Sequence, residues 1–254
     1  MKVGVIITAG GRSERYSAQV GFSRSKLEED IHGRPVLMRA IEPFTKLDAV
    51  STIVVAGPND DEMFADFKVK FGDRLGLLGV KLCRGGVHHR YESVMAALEH
   101  VPADCTHIAV HDGARPCVRI EMIERAFDAL EHCDAVVPGL PVSETMKRVD
   151  EQDSTDAPDP AEVILGLAKT KRVRTVVETL SRDSVFVIQT PQAFSADLLH
   201  RAYAQSDLES TDDAQLVERL GETVRVVDGD PRNIKITTPA DLDLARLYVK
   251  SVAF

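Results

Sequence analysis

A short loop of small residues and a set of cations follow the first apolar run of the chain. The run is Val3–Thr8, and the loop after it consists of Ala9, Gly10 and Gly11. Glycines let a backbone approach a ligand closely, and their amides can cradle phosphate. The spacing matches neither the dinucleotide fingerprint nor a P-loop. Two interpretations fit: a glycine turn beside solvated cations, or a polyphosphate site, which the positive charges of Arg15 and Lys26 favour.

Two further places in the sequence could carry chemistry with phosphorylated ligands. Asp112 and Arg115 come directly after the apolar run His107–Val110. An aspartate there could bind a substrate hydroxyl or Mg²⁺, or could simply begin a helix. Lys235 lies among residues of β type, so it either faces solvent at a sheet edge or points inward toward an anionic partner.

The elements that would position these residues alternate between strands and helices. Periodicity predicts strands at Val3–Thr8, Thr52–Ala56, Leu77–Cys83, His107–Val110, Ala135–Pro138, Phe186–Gln189, Val224–Val227 and Ile234–Thr237. It predicts helices at Pro35–Leu47, Asp60–Phe71, Tyr91–His100, Ile120–Leu130, Ala196–Ala204, Asp212–Leu220 and Asp241–Val249. This order indicates an α/β fold with a mostly parallel sheet covered on both faces. Ligands of such sheets bind outside the carboxyl ends of the strands.

The alternation is interrupted once. Asp150–Glu162 is acidic and contains two prolines, and Lys169–Arg174 is basic. We therefore predict one domain spanning residues 1–254 with an inserted arm at about 145–180.

Composition and charge narrow the class of protein. The chain has 254 residues, of which 44% are hydrophobic and 28% charged, as in an ordinary globular protein. Its net charge of −9 argues against a nucleic-acid binder. No apolar run approaches the roughly 20 residues of a membrane span, and no secretory signal is evident. Four scattered cysteines without a C-x-x-C pair favour thiols in the reducing cytoplasm, where we expect the protein to be.

Blocks of sequence distributed over nearly the whole chain resemble one family. The blocks are Thr8–Arg15, Ser25–Leu27, Gly33–Leu37, Gly85–Gly86, Arg90–Val94, Val110–Pro116, Ser143–Arg148, Gln189–Phe194, Thr211–Ala214 and Asn233–Pro239. In this order they resemble the 2-C-methyl-D-erythritol 4-phosphate cytidylyltransferases of non-mevalonate isoprenoid synthesis. The segment from Arg15 to Lys26 and the arm are longer than is usual in that family.

The resemblance implies a three-layer, Rossmann-like nucleotidyltransferase fold with a projecting arm through which two copies form a homodimer. It implies that CTP and a polyol phosphate are the substrates and that Mg²⁺ is the cofactor. The transfer of cytidine monophosphate from CTP to 2-C-methyl-D-erythritol 4-phosphate would release pyrophosphate.

The resemblance also assigns roles to individual residues. Arg15 and Lys26 stabilise the transition state, and Arg182 and Lys235 position the acceptor. The remaining substrate-binding candidates are Ala9, Gly10, Gly11, Gly86, Ser93, Asp112, Arg115 and Thr145, with Gly86 and Ser93 near cytosine. Asp112, and less strongly Asp230, are candidate ligands of the metal.

Two other functions compete with this one. A cytidylyltransferase for ribitol 5-phosphate or another polyol phosphate shares much of the motif set. A non-catalytic nucleotide-binding regulator would be expected to have lost some of the four cations Arg15, Lys26, Arg182 and Lys235, and all four are present.

Overall fold

A computed structural model describes residues 1–11, 13–20, 25–150 and 174–250. The chain divides into a first unit, made of Met1–Leu140 and Ile188–Phe254, and a second unit, Pro141–Val187. Most of the acidic and basic stretches predicted for the arm lie outside the described residues.

A mixed, mostly parallel sheet forms the centre of the first unit. Its strands lie side by side in the order Ala135–Pro141, Gln192–Ser195, His107–Asp112, Val3–Thr8, Val50–Gly57 and Lys81–Arg84, with Arg225–Asp228 also pairing with Ala135–Pro141. Gln192–Ser195 runs antiparallel to both of its neighbours, and the other pairs named here are parallel. Asp30–Ile31 and Arg34–Pro35 form a separate two-stranded sheet.

Helices cover both faces of the central sheet. They are Glu14–Val20, Val36–Ile41, Asp61–Leu77, Arg90–Leu98, Ile120–Ala129, Ala196–Tyr203, Asp213–Arg219 and Pro239–Lys250. Successive side chains of a strand point to opposite faces, and the first strand follows this rule. Val5 and Ile7 pack in one buried apolar cluster, whereas Ile6 packs in the other. The predicted three-layer α/β architecture is thereby confirmed.

The second unit contains a two-stranded antiparallel sheet of Met146–Val149 and Val176–Leu180. Arg148 and Glu178 form an ion pair of 2.6 Å across it. The strand Phe186–Ile188 lies where the chain returns to the first unit.

The structure corrects several of the element predictions. Leu77 ends a helix that begins at Asp61, so the strand after it starts only at Lys81. Ile234–Thr237 is not a strand but a segment without regular secondary structure. Its Ile236 amide donates at 2.8 Å to the carbonyl of Ala114, in the turn after the strand His107–Asp112. The strand Gln192–Ser195 was not predicted, because four residues with polar ends carry little periodicity.

No helix among the described residues is long and apolar enough to cross a bilayer. Cys83, Cys105, Cys117 and Cys133 are all free thiols. Burial raises the pKa of Cys83 to about 11 and that of Cys117 to about 12, so neither is a reactive thiolate at neutral pH.

Candidate active site

A cavity of about 600 Å³ lies at the carboxyl ends of the parallel strands. The parallel register places Thr8 directly beside Asp112 at the end of the first strand, and both residues line the cavity. The loop of Ala9, Gly10 and Gly11 forms part of its wall, together with residues that follow the strands Val50–Gly57 and Lys81–Arg84. Adjacent parallel strands therefore bring residues that are far apart in sequence to one edge of the sheet.

The wall of the cavity is built from closely packed backbone at Gly10. A β-carbon added to Gly10 would lie 2.8 Å from the Gly57 carbonyl oxygen. That oxygen already accepts a hydrogen bond of 2.9 Å from the Gly85 amide. The loop after the first strand and the loop after Lys81–Arg84 therefore meet at one carbonyl group, and a side chain on Gly10 would force them apart.

Gly86 is required by the start of the neighbouring helix. A β-carbon there would lie 2.1 Å from Cβ of Glu92. The Gly86 amide donates to Ser93 Oγ at 2.9 Å, and Glu92 Oε2 accepts from the amides of His88 and His89 at 2.8 and 3.2 Å. These contacts hold the loop 85–89 against the helix Arg90–Leu98, so its backbone faces the cavity in a fixed conformation.

Three cations lie close enough to affect one another at the cavity. Lys26, Arg15 and Lys235 all line it, and the Lys26 amide donates to Ser13 Oγ at 3.3 Å. Burial, followed by the positive charges of Lys235 and Arg15, lowers the pKa of Lys26 from 10.5 to about 8. Gathering positive charge in this way opposes the ionisation of Lys26 and favours an anionic ligand.

Asp112 is a buried carboxylate surrounded by positive groups. Lys235 Nζ lies 2.8 Å from Oδ2, Arg90 Nε lies 3.2 Å from Oδ1, and Arg115 Nε lies 3.6 Å from Oδ2. Burial raises the pKa of Asp112, but Arg90, Lys235 and Arg115 together outweigh it and hold that pKa well below 3.8. Asp112 is therefore ionised, and Lys235 is the inward charge with an anionic partner, one of the two options left open by the sequence.

The structure thus gathers most of the predicted site residues. Those that line the cavity are Ala9, Gly10, Gly11, Arg15, Lys26, Gly86, Ser93, Asp112 and Lys235. Arg115 contacts Asp112 and donates to the Asn233 carbonyl at 2.7 Å. Thr145 and Arg182 belong to the second unit, where Arg182 donates to the Ser143 carbonyl. Their roles at the site stay predictions.

Asp230 is engaged elsewhere. Its two carboxylate oxygens accept two hydrogen bonds from Arg232: Nε donates to Oδ1 at 2.9 Å, and Nη2 donates to Oδ2 at 2.8 Å. It is not among the residues lining the cavity. The geometry therefore gives no support to its role as a metal ligand.

Sequence reasoning did not assign a role to Arg90 or to the loop Pro58–Asp60, which both line the cavity. Arg90 stands in one of the matching sequence blocks, so the block itself was a usable signal. The loop follows the predicted strand Thr52–Ala56, and its place after a parallel strand would have marked it.

Comparison with known proteins gives the same result throughout the chain. The family profile for 2-C-methyl-D-erythritol 4-phosphate cytidylyltransferase matches residues 3–251. A curated protein of that name from Caldanaerobacter subterraneus subsp. tengcongensis is 33% identical to this chain, over 98% of this chain and 100% of the relative. In Synechococcus sp. (strain WH7803) the identity is 37%, over 95% of this chain and 96% of the relative.

Solved structures with related sequences have the same fold. The 4-diphosphocytidyl-2C-methyl-D-erythritol synthase of Anaerococcus prevotii has a TM-score of 0.73 at 27% identity and covers 98% of both chains. The 2-C-methyl-D-erythritol 4-phosphate cytidylyltransferase of Thermus thermophilus has a TM-score of 0.70 at 28% identity, over 98% of this chain and 100% of the other.

Proposed function

This chain belongs to the 2-C-methyl-D-erythritol 4-phosphate cytidylyltransferase family, and we propose that the cavity beside Asp112 is where it performs the family reaction. The enzyme transfers the cytidine monophosphate group of CTP to 2-C-methyl-D-erythritol 4-phosphate, hereafter the acceptor, and releases pyrophosphate. The observation that carries the assignment of the site is the convergence of Lys26, Arg15 and Lys235 on one cavity.

The chemistry requires positive charge rather than a general base. An oxygen of the acceptor phosphate, already ionised at neutral pH, forms a bond to the α-phosphorus of CTP. The bond from that phosphorus to the bridging oxygen breaks, and its electron pair leaves with pyrophosphate. Catalysis therefore consists of bringing two anions together and stabilising the charge that grows on the leaving group.

Arg15 and Lys26 are the residues we assign to the α-phosphate and the leaving group. Arginine offers a planar fork to phosphate oxygens, while lysine acts as a compact charge. The amides of the loop 9–11 contribute donors on the same wall of the cavity. Ser93 and the backbone at Gly86, held together by a 2.9 Å hydrogen bond, are the groups we assign to the edge of cytosine.

The residues of the cavity fit Mg²⁺ bound mainly through the triphosphate. Mg²⁺ takes one or two protein carboxylates and completes its shell with phosphate and water oxygens, and Asp112 is an ionised carboxylate at the cavity. Among the described residues no group of three or more His, Cys, Asp or Glu forms a metal site of its own. We assign Asp112 to the metal, which when bound would neutralise phosphate charge.

Pyrophosphate release distinguishes this function from its rivals. The wild-type protein, with Mg²⁺, is assayed with CTP, ATP, GTP and UTP, each paired with the acceptor or with ribitol 5-phosphate. We expect turnover with CTP and 2-C-methyl-D-erythritol 4-phosphate. Turnover only with ribitol 5-phosphate would move the function to that rival, and nucleotide binding without turnover would favour a regulator.

The pKa of Lys26 predicts how the rate depends on pH. In the free enzyme Lys26 is charged below about pH 8 and becomes neutral as the pH rises through that value, so kcat/KM for CTP should fall above it. Lys26→Arg keeps its charge and should move the decline to higher pH. Profiles measured from pH 6 to 10 that superimpose for the two proteins would contradict the assignment.

Removing either acceptor-positioning cation should chiefly affect the acceptor. Arg182→Ala and Lys235→Ala each remove a charged partner of the acceptor phosphate, so we expect KM for the acceptor to rise about 10- to 100-fold. The Kd for CTP, measured by calorimetry, should change by less than about threefold. Arg148→Ala, in the same unit as Arg182, is the control. If the variants instead lose affinity for CTP, Arg182 and Lys235 belong to the CTP subsite and not to the acceptor subsite.

Exposed apolar side chains in the second unit support the proposed homodimer. Val176, Val177 and Val187 are 54, 61 and 58% exposed, and the sheet of the unit has only two strands among the residues described there. A two-stranded sheet is marginally stable by itself, and a second copy would cover apolar side chains that are exposed in one chain. We assign these valines, together with the segment at about 145–180, to the contact between two copies.

Charges placed on these valines should separate the copies. We expect Val177→Lys combined with Val187→Lys to halve the mass measured by light scattering, because an unpaired charge would be buried at the contact. Val69→Lys is the control, since Val69 is 83% exposed on a helix of the first unit. A double variant that stays dimeric, or a fully active dimer lacking residues 150–170, would refute the role of the arm.

A further inference from the structure

Arg90 joins the candidate site to a carboxylate that lies outside it. Its Nε is 3.2 Å from Asp112 Oδ1, and its Nη1 is 2.8 Å from Asp213 Oδ2. Asp112 and Arg90 line the cavity, whereas Asp213 does not. Asp213 is 0% exposed, so one guanidinium group contacts both a carboxylate that lines the cavity and one that lies away from it.

Asp213 is itself held by groups from neighbouring elements. Tyr203, at the end of one helix, donates its hydroxyl to Asp213 Oδ1 at 2.5 Å. The amides of Asp213 and Ala214, which begin the next helix, both donate to Gln192 Oε1 at 3.1 Å. These contacts fix the position of the carboxylate. A side chain so closely held in the core, away from the cavity, cannot follow a substrate as it enters.

The charges around Asp112 make a second carboxylate necessary. Arg90, Arg115 and Lys235 all contact Asp112, and Lys26 and Arg15 lie on the same cavity. With Asp213 neutralised, Arg90 would depend on Asp112 alone and would compete with Lys235 for it. An incoming phosphate can draw Lys235 away from Asp112, but it cannot reach Asp213, which is 0% exposed and does not line the cavity. The pair of Arg90 with Asp213 therefore keeps Arg90 in place while the acceptor site is filled.

We propose that Asp213 is a positioning residue for the transfer reaction, acting through Arg90 to hold Asp112 in place beside Lys235. The inference rests on the proposed function, since it gives Lys235 and Asp112 their roles. It places a determinant of acceptor use in the buried core, on the helix Asp213–Arg219. The charge of Asp213, and not only its volume, is what the site requires.

The test compares substitutions that separate charge from packing. Asp213→Asn keeps the shape and removes the charge, while Asp213→Glu keeps the charge and disturbs the packing. Asp197→Asn is the matched control, because Asp197 also lies in the first turn of a helix, Ala196–Tyr203, and its carboxylate accepts from Arg201 rather than from Arg90. For each variant we measure kcat, KM for both substrates, the Kd for CTP and the melting temperature.

We expect Asp213→Asn to lower kcat/KM for the acceptor about 10- to 100-fold, the range found for outer-shell partners of ligating groups. The Kd for CTP should change by less than about threefold. Asp213→Glu should recover most of the lost kcat/KM, even if its melting temperature is as low as that of Asp213→Asn. Asp197→Asn should keep wild-type acceptor kinetics. Equal losses in Asp213→Asn and Asp213→Glu, or wild-type kinetics in Asp213→Asn, would overturn the proposal.

A double-mutant cycle with Arg90→Gln tests whether Asp213 acts through Arg90. The loss of kcat/KM caused by Asp213→Asn should largely disappear in the Arg90→Gln background, and additive losses would overturn the proposal. If Asp213→Asn does not fold, Asp213→Glu decides by itself: near wild-type acceptor kinetics support a role for charge, and a full loss opposes it. An inactive wild-type protein would instead refute the proposed function.

Discussion

Lys26→Ala and Arg15→Ala should each lower kcat by about 100- to 1,000-fold, the usual effect of removing one preorganised donor to developing charge. Both side chains line the cavity, and Lys26 is partly buried among other cations. Their positive charge is in place before CTP arrives, so the protein need not reorganise when charge grows on the leaving pyrophosphate.

The same substitutions should leave stability intact or increase it. Burial and neighbouring cations lower the pKa of Lys26, which means that its charge is unfavourable in the folded protein without ligand. We expect the melting temperature of Lys26→Ala to be no lower than that of the wild type. Lys68→Ala, on an exposed face of the helix Asp61–Leu77, is the control for loss of a lysine. If Lys26→Ala or Arg15→Ala keeps most of its kcat, the long segment before Lys26 places that side chain away from the reacting phosphates.

Asp112→Asn should destabilise the protein by about 3 kcal/mol, the lower end for breaking a buried pair, because it leaves partly buried cations without their shared counter-charge. Arg90, Arg115 and Lys235 all contact this carboxylate. Urea unfolding at pH 7 measures the loss. Asp104→Asn is the control, since it removes a carboxylate from an exposed pair with Lys2, and its unfolding midpoint should stay close to that of the wild type.

Two conditions should reduce the difference in stability between Asp112→Asn and the wild type. The pKa of Asp112 in the folded protein lies below 3.8, so its stabilisation is present above about pH 4 and is lost as the pH falls through the folded-state pKa. Added pyrophosphate should stabilise the variant more than the wild type, because an anion would supply the missing charge. Equal stability of the two proteins at pH 7 in urea would contradict this account of the site.

The sequence predicted the parts of the fold that repeat a simple pattern. The apolar run Val3–Thr8 and the periodic helices indicated a parallel sheet, and the loop 9–11 marked its ligand edge. The sequence did not predict the strand Gln192–Ser195. This strand runs antiparallel between His107–Asp112 and Ala135–Pro141, a position that is set by tertiary pairing. The prediction was also wrong at Ile234–Thr237, where β-branched residues lie in a segment without regular secondary structure rather than in a strand.

The candidate site shows a similar division. Arg15, Lys26, Asp112 and Lys235 were found because residue type and resemblance single them out. The buried pair of Arg90 with Asp213 was not, because it joins residues far apart in the chain. Both residues stand in matching sequence blocks, Arg90–Val94 and Thr211–Ala214, but nothing in those blocks indicates that the two side chains pair.

The second unit, Pro141–Val187, leaves and rejoins the first unit at two strands. Asp112 and Lys235 lie outside it, whereas Thr145 and Arg182 lie inside it, so residues between Thr145 and Arg182 can be gained or lost without altering the order of the assigned groups along the chain. Natural variation between these two residues is therefore free to alter which copies recognise each other while turnover is preserved. Under the proposed pairing, two enzymes of this family in one cell could diverge in the segment and avoid forming mixed assemblies.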